Sequence, residues 1–279
     1  MSTPGLVLAI FPGIDLFGRA VERATGWTVV RGPDVIWGGD IRTWHPPAGV
    51  FDGIIGGDPC QAHSVLAHLV RYNGNEPRFP DMTPEFARVV AEAQPCWFLR
   101  ENVPGAPDIE VDGYDVWTEL VTDSDVGGLQ PRTRRIWFGL REGLWDSVRS
   151  PFSLLDYAPG SGVGLSVMAG HHGESPPGPA ERAERRRARS VVADARNGST
   201  GTRIRGGGGV LPHGETGHSA AGALPIGDAC EAMGLPRDFM DNVPLTVQGK
   251  RSVLGNGVTQ AMGGALARMV QRALEGEER

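Results

Sequence analysis

Short apolar runs, several of them stopped by glycine or proline, constrain this chain more than any other feature. Leu6–Phe11 halts at Pro12-Gly13, and Phe51–Ile55 halts at Gly56-Gly57. Cys96–Arg100 runs into Glu101-Asn102-Val103-Pro104, and Arg135–Leu140 is a fourth run. Continuous runs this short suit strands buried on both faces of a parallel sheet. Trp27–Val30 and Tyr114–Val121 read as further strands. Between them, Leu16–Ala24 reads as a helix carrying Arg19, Glu22 and Arg23, and Thr83-Pro84-Glu85 opens another through Ala93. Strands alternating with helices predict an α/β fold, doubly wound around a mostly parallel sheet.

The pattern breaks near Ser150. Residues 159–222 are rich in Gly, Pro, Ser and Arg, and contain the basic run Glu181–Arg189 and Gly206–Gly209. So little apolar material predicts a loop-rich, partly disordered insert. Periodicity returns with a short helix at Ile226–Gly234 and a final helix at Gly257–Leu274. The expected organisation is residues 1–141 and 225–279 as the two parts of one large domain, with 142–224 as a small insert. A length of 279 residues, 40% of them hydrophobic, suffices for that core.

The formal charge of −6 means that any contact with nucleic acid must come from a local basic patch. Three cysteines without zinc-type spacing exclude a disulfide framework and predict a reducing, cytoplasmic setting with no structural metal. No run approaches the ~18 apolar residues of a membrane span, and no basic segment precedes the first apolar stretch, so neither membrane nor secretion is expected.

Cys60 stands just past an apolar strand, in Gly56-Gly57-Asp58-Pro59-Cys60-Gln61-Ala62-His63-Ser64. Ligand chemistry in open α/β sheets gathers at such carboxyl ends. An inert cysteine is more often found inside an apolar run. A plain strand-to-helix corner is the competing reading of this turn.

Five segments, in order, resemble the DNA cytosine-5 methyltransferase family. Phe11-Pro12-Gly13 looks like its methyl-donor loop, and Gly57-Asp58-Pro59-Cys60-Gln61 is similar to its Gly-Pro-Pro-Cys-Gln motif, with Ser64 in the usual place. Glu101-Asn102-Val103 matches its Glu-Asn-Val motif. Gln130-Pro131-Arg132-Thr133-Arg134 fits Gln-x-Arg-x-Arg, and Gly255-Asn256-Gly257-Val258 resembles Gly-Asn-x-Val. The resemblance covers residues 6–141 and 225–272 and implies the Rossmann-like fold of S-adenosylmethionine-dependent methyltransferases, with residues 142–224 as target-recognition region.

The resemblance also implies roles. Cys60 is the nucleophile. Carbon 5 of cytosine is a poor nucleophile until a thiolate adds at carbon 6, which makes it enamine-like. Glu101 is the acid at ring nitrogen 3, and Arg134 serves the O2 carbonyl, with Arg132 as a second contact or a brace on the active-site turn. S-adenosylmethionine is assigned Phe11, Gly13, Ile14, Asp34, Asp40, Ile41, Asp58, Pro59, Asn256 and Val258. A base inside a duplex must be flipped out to be reached. Double-stranded DNA is assigned Gln61, His63, Ser64 and the cluster Arg185, Arg186 and Arg187. Gln130 reads as structural, and Asn256 also reads as shaping the turn into the final helix. The expected unit is a monomer, of a size that suits a phage enzyme.

Two departures from the family pattern stand out. Asp58 replaces the first proline of Pro-Pro-Cys, where a carboxylate beside the thiol should disfavour the thiolate, with a bond to a backbone amide as the other reading. The donor loop continues Gly13-Ile14-Asp15-Leu16, where the family prefers Gly-x-Gly-Gly. A tRNA cytosine-5 methyltransferase and a DNA-binding relative without turnover are the alternatives. A thymidylate synthase-like enzyme shares the Pro-Cys thiol but fits the other motifs badly.

Overall fold

In a computed structural model, the structure describes residues 5–63, 80–145, 150–158 and 224–276. Six strands form one sheet: β1 (Leu6–Ile10), β2 (Thr28–Arg31), β3 (Gly53–Gly56), β4 (Trp97–Asn102), β5 (Tyr114–Thr122) and β6 (Thr133–Arg141). Their spatial order is β2-β1-β3-β4-β6-β5. β1 pairs in parallel with β2 and β3, and β3 with β4, whereas β6 runs antiparallel to β4. The helices are α1 (Leu16–Thr25), α2 (Thr83–Ala93), α3 (Ile226–Ala232), α4 (Val247–Asn256) and α5 (Gln260–Glu275). None is long and apolar enough to cross a membrane.

The chain divides into two compact units. The first holds residues 1–121, 133–156 and 262–279; the second holds 122–132 and 157–261. In the first, β3 and β4 are buried along their whole length. Alternation sends Leu8, Ile10, Ile54 and Phe98 to one face, where Phe86, Val89 and Val90 of α2 join them in a single core. Val7, Ala9, Ile55 and Leu99 point the other way and are equally buried. Glycine sets the strand spacing: a Cβ at Gly53 would sit 2.1 Å from the Trp97 ring, and one at Gly139 2.0 Å from Phe98.

In the second unit, a buried knot of polar groups ties the segment before β6 to the helices. Gln130 donates to the Ala232 carbonyl at the end of α3, and Thr259 bonds the Asp123 carboxylate. Arg132 Nη1 donates to the Gly257 carbonyl at 2.5 Å.

The expected elements are present, with two differences. The final helix starts at Gln260 rather than Gly257, and residues 247–256, given no element from sequence, form α4. Asn256 is therefore the last residue of α4. The helix went unread because two glycines and several polar residues leave it without an apolar stripe, with only Leu254 and Gly255 buried. Its one legible signal is the Thr246 cap, whose hydroxyl accepts from Gly249 N at 3.1 Å.

Candidate active site

The carboxyl ends of β1, β3 and β4 carry three polar segments. After β3, residues 57–59 lead into a single 3₁₀ turn at Cys60–Ala62, closed by His63 N to Cys60 O at 3.0 Å. Cys60 is partly buried and packs against the core of the first unit. Gly57 is required here: a Cβ would lie 2.9 Å from Glu101 Oε2 and 3.0 Å from Glu101 O. The thiol turn and the acid are thus in direct apposition.

Glu101 sits on β4, in register with Ile136 of β6, so Arg134 reaches it from two residues away. Arg134 Nε lies 2.7 Å from Glu101 Oε1, and both side chains are buried. The pair matches a carboxyl oriented by a guanidinium inside a water-poor site. Arg132 belongs to the second unit, where its guanidinium braces Gly257.

Among its described bonds, Asp58 holds side chains through its carboxylate rather than the backbone amide of the alternative reading. Its carboxylate faces Arg100, with Nε to Oδ1 at 2.6 Å and Nη2 to Oδ2 at 3.1 Å, and Thr83 Oγ1 lies 3.3 Å from Oδ2. The Asp58 carbonyl accepts from Asn102 Nδ2 at 3.1 Å. Sequence reading missed Arg100 because it lies inside an apolar run, where a charge has to find a partner. His63 Nε2 lies 3.0 Å from Asp81 Oδ1, which also accepts from Thr83 N at 2.8 Å. Partial burial pushes the Asp81 carboxyl up, but the bonds from Thr83 and His63 outweigh it and hold it below its ordinary value. Ser64 and Arg185–Arg187 lie outside the described residues.

The loop after β1 is bent by left-handed backbone at Phe11, Gly13 and Asp15 (φ 51°, 56° and 58°). Strain of this kind clusters at ligand sites. Asp34 Oδ2 accepts from Gly13 N at 2.8 Å, and Trp37 Nε1 donates to Gly13 O at 2.7 Å. Trp37, half exposed, went unread from sequence, although the exposed run Val35-Ile36-Trp37 was available as a signal. Asp40 caps the turn Ile41–Thr43, and the Arg42 guanidinium holds its carboxyl down at about 2. Ile41 is buried, Ile14 and Pro59 are partly buried, and Asn256 and Val258 lie in the second unit.

A strained glycine loop, an acid beyond β2 and a buried apolar residue beside Asp40 fit a nucleoside carrying a short charged chain. The fold itself is found in solved structures of other proteins. A protein encoded within an E. coli prophage, proposed to be a DNA modification methyltransferase, superposes with a TM-score of 0.59 at 18% identity, over 97% of this chain and 99% of that one. The DNMT2 of Spodoptera frugiperda gives 0.56 at 14% identity, over 95% and 99%. The fold is the one these methyltransferase structures share.

Residues 38–157 match the model of the C-5 cytosine-specific DNA methylases. The type II methyltransferase M.FnuDI of Fusobacterium nucleatum is 35% identical over 106 residues, 33% of this chain and 30% of that protein. M1.HphI of Haemophilus parahaemolyticus is 32% identical over 105 residues, 33% and 28% of the two chains. The chain thus aligns with under a third of the length of these curated relatives.

Proposed function

We propose that this protein methylates carbon 5 of cytosine in double-stranded DNA, with S-adenosylmethionine as donor. The observation that carries the reading is the buried Glu101–Arg134 pair set against the glycine turn that leads to Cys60. Cys60 adds as thiolate to carbon 6 of a flipped base. Density pushed toward nitrogen 3 is met by Glu101 as general acid, which Arg134 orients. S-adenosylmethionine, when bound, supplies the electrophilic methyl group. Phe11, Gly13, Ile14, Asp34 and Ile41 would hold it, with Asp40 fixing the turn that carries Ile41. Water then takes the carbon-5 proton, the carbon 6–sulfur bond breaks, the nitrogen-3 proton returns to Glu101, and the ring and the thiolate are restored. Arg132 acts as a brace on the Gly255–Val258 segment. A reducing cell interior keeps Cys60 a thiol, and a single copy of the chain carries the whole residue set.

Trapping on duplex DNA containing 5-fluorocytosine, with S-adenosylmethionine present, tests the reading. A covalent adduct bearing one methyl group, absent from Cys60→Ser, is the expected result. An adduct with tRNA alone would move the substrate to RNA. DNA binding without any adduct would reduce the protein to a binder.

A further inference from the structure

The motif that presents the thiol differs from the family pattern at Asp58, and the fold supplies that residue with a charged partner. Proline at this position would fix one backbone torsion of the turn. Pro59 still fixes the next, at φ −53°. Asp58 leaves its own torsion free, yet every described feature of its side chain opposes motion. Arg100 meets it fork to fork, and both side chains are fully buried. Such paired, charge-assisted bonds add geometric specificity.

Arg100 is itself held from three further sides. Its Nη2 donates to Thr83 Oγ1 at 2.8 Å, its Nη1 to Pro107 O at 2.8 Å, and its guanidinium lies 4.3 Å from the centre of the Trp137 ring. Arg100 pairs across the strands with Gly56, two residues before Asp58, so its side chain spans the start of the turn. A buried ion pair contributes little net stability over an apolar replacement, whereas losing one partner strands a charge. Its value here is in fixing geometry.

We propose that Asp58 and Arg100 form a positioning pair that holds the Cys60 turn in place of the family's proline. The proposal rests on the reading of Cys60 as nucleophile, and its test separates the two. The whole protein and its variants Asp58→Asn, Arg100→Met and Asp58→Pro/Arg100→Met are treated with iodoacetamide under native conditions, with alkylation of Cys60, Cys96 and Cys230 followed by mass spectrometry. In each single variant, Cys60 should alkylate at least about fivefold faster, while Cys96 and Cys230 stay within about twofold, as expected of local loosening. Methyl-transfer kcat should fall about tenfold to a hundredfold with KM for DNA nearly unchanged, since misplacement of a reacting group costs rate.

The double variant should recover both properties, because proline then sets the turn without a charge to compensate. An unchanged Cys60 rate in Asp58→Asn, a parallel rise at all three cysteines, or no recovery in the double variant would overturn the proposal. Asp58→Asn, nearly isosteric, decides the matter if Arg100→Met does not fold. If the wild-type protein transfers no methyl group, the proposed function fails, and the alkylation arm still decides the pair.

Discussion

Asp15 occupies left-handed backbone, at φ 58°, where the family motif prefers glycine. An aspartate is among the few side chains that tolerate this region. It is used as a cap: Oδ1 accepts from Gly18 N at 3.2 Å, and Oδ2 meets Arg31 Nε at 2.8 Å. Gly18 is bound to it in turn, since a Cβ there would lie 2.1 Å from the Asp15 carboxylate. Burial pushes the Asp15 carboxyl above its ordinary value, and Arg31, half exposed, only partly offsets this. The folded protein therefore binds this proton more tightly than the unfolded chain. Stability falls as pH rises from the ordinary carboxylate value through the raised one, and the loss persists at neutral pH. Asp15→Asn keeps the cap and the backbone preference while removing the buried charge. It should raise stability at pH 7 by a few tenths to about 1 kcal/mol, a typical scale for capping and polar changes. The gain over wild type should shrink toward pH 4 in denaturant titrations, and a gain that grew on acidification would contradict the account. The misfit at Asp15 was legible from sequence. Its partner was not, because Arg31 is distant in the chain and no local pattern links them.

Among the elements, α2 does more than cover the sheet. Arg88 on its surface bonds Glu85 and Glu92 on its own helix, then donates Nη2 to Ile41 O at 2.7 Å and to Trp44 O at 3.2 Å. One side chain thus latches the Asp40–Trp44 turn to a rigid helix. Replacing Arg88 with Met preserves most of the packing of its stem and removes the latch. The expected outcome is a severalfold to about tenfold weaker affinity for S-adenosylmethionine by calorimetry, with little change in thermal midpoint. Unchanged affinity would detach this turn from donor binding. Elements differed in how openly the sequence declared them. The buried strands announced themselves by apolar runs, α1 by its charged side and α2 by the Thr83-Pro84-Glu85 opening, although Thr83 is the first helical residue and Met82 stands at the cap position. The direction of β6 was hidden, because an apolar run reads the same for a parallel or an antiparallel neighbour. That direction matters, since the register of β6 against β4 is what brings Arg134 to Glu101.

At the scale of the molecule, a net charge of −6 opposes DNA, so the proposed function needs local basic groups. Arg185, Arg186 and Arg187, outside the described residues, are the assigned phosphate contacts. Changing all three to alanine should weaken DNA binding at low salt and reduce the slope of log affinity against log salt by up to about 3. Donor affinity should be unaffected, and an unaltered slope would place the phosphate contacts elsewhere. The candidate set was largely legible because the motifs fall at strand ends, where topology gathers them. What stayed hidden were the long-range supports, Arg100 above all, whose role exists only once strands are adjacent. Asp58 and Arg100 lie 42 residues apart in the chain and share one buried space. Neither can be inherited, exchanged or grafted alone without leaving a bare charge in the core. The two positions should therefore travel together through descent, and a transplant of the Gly-Asp-Pro-Cys turn into a relative will succeed only when the distant arginine goes with it.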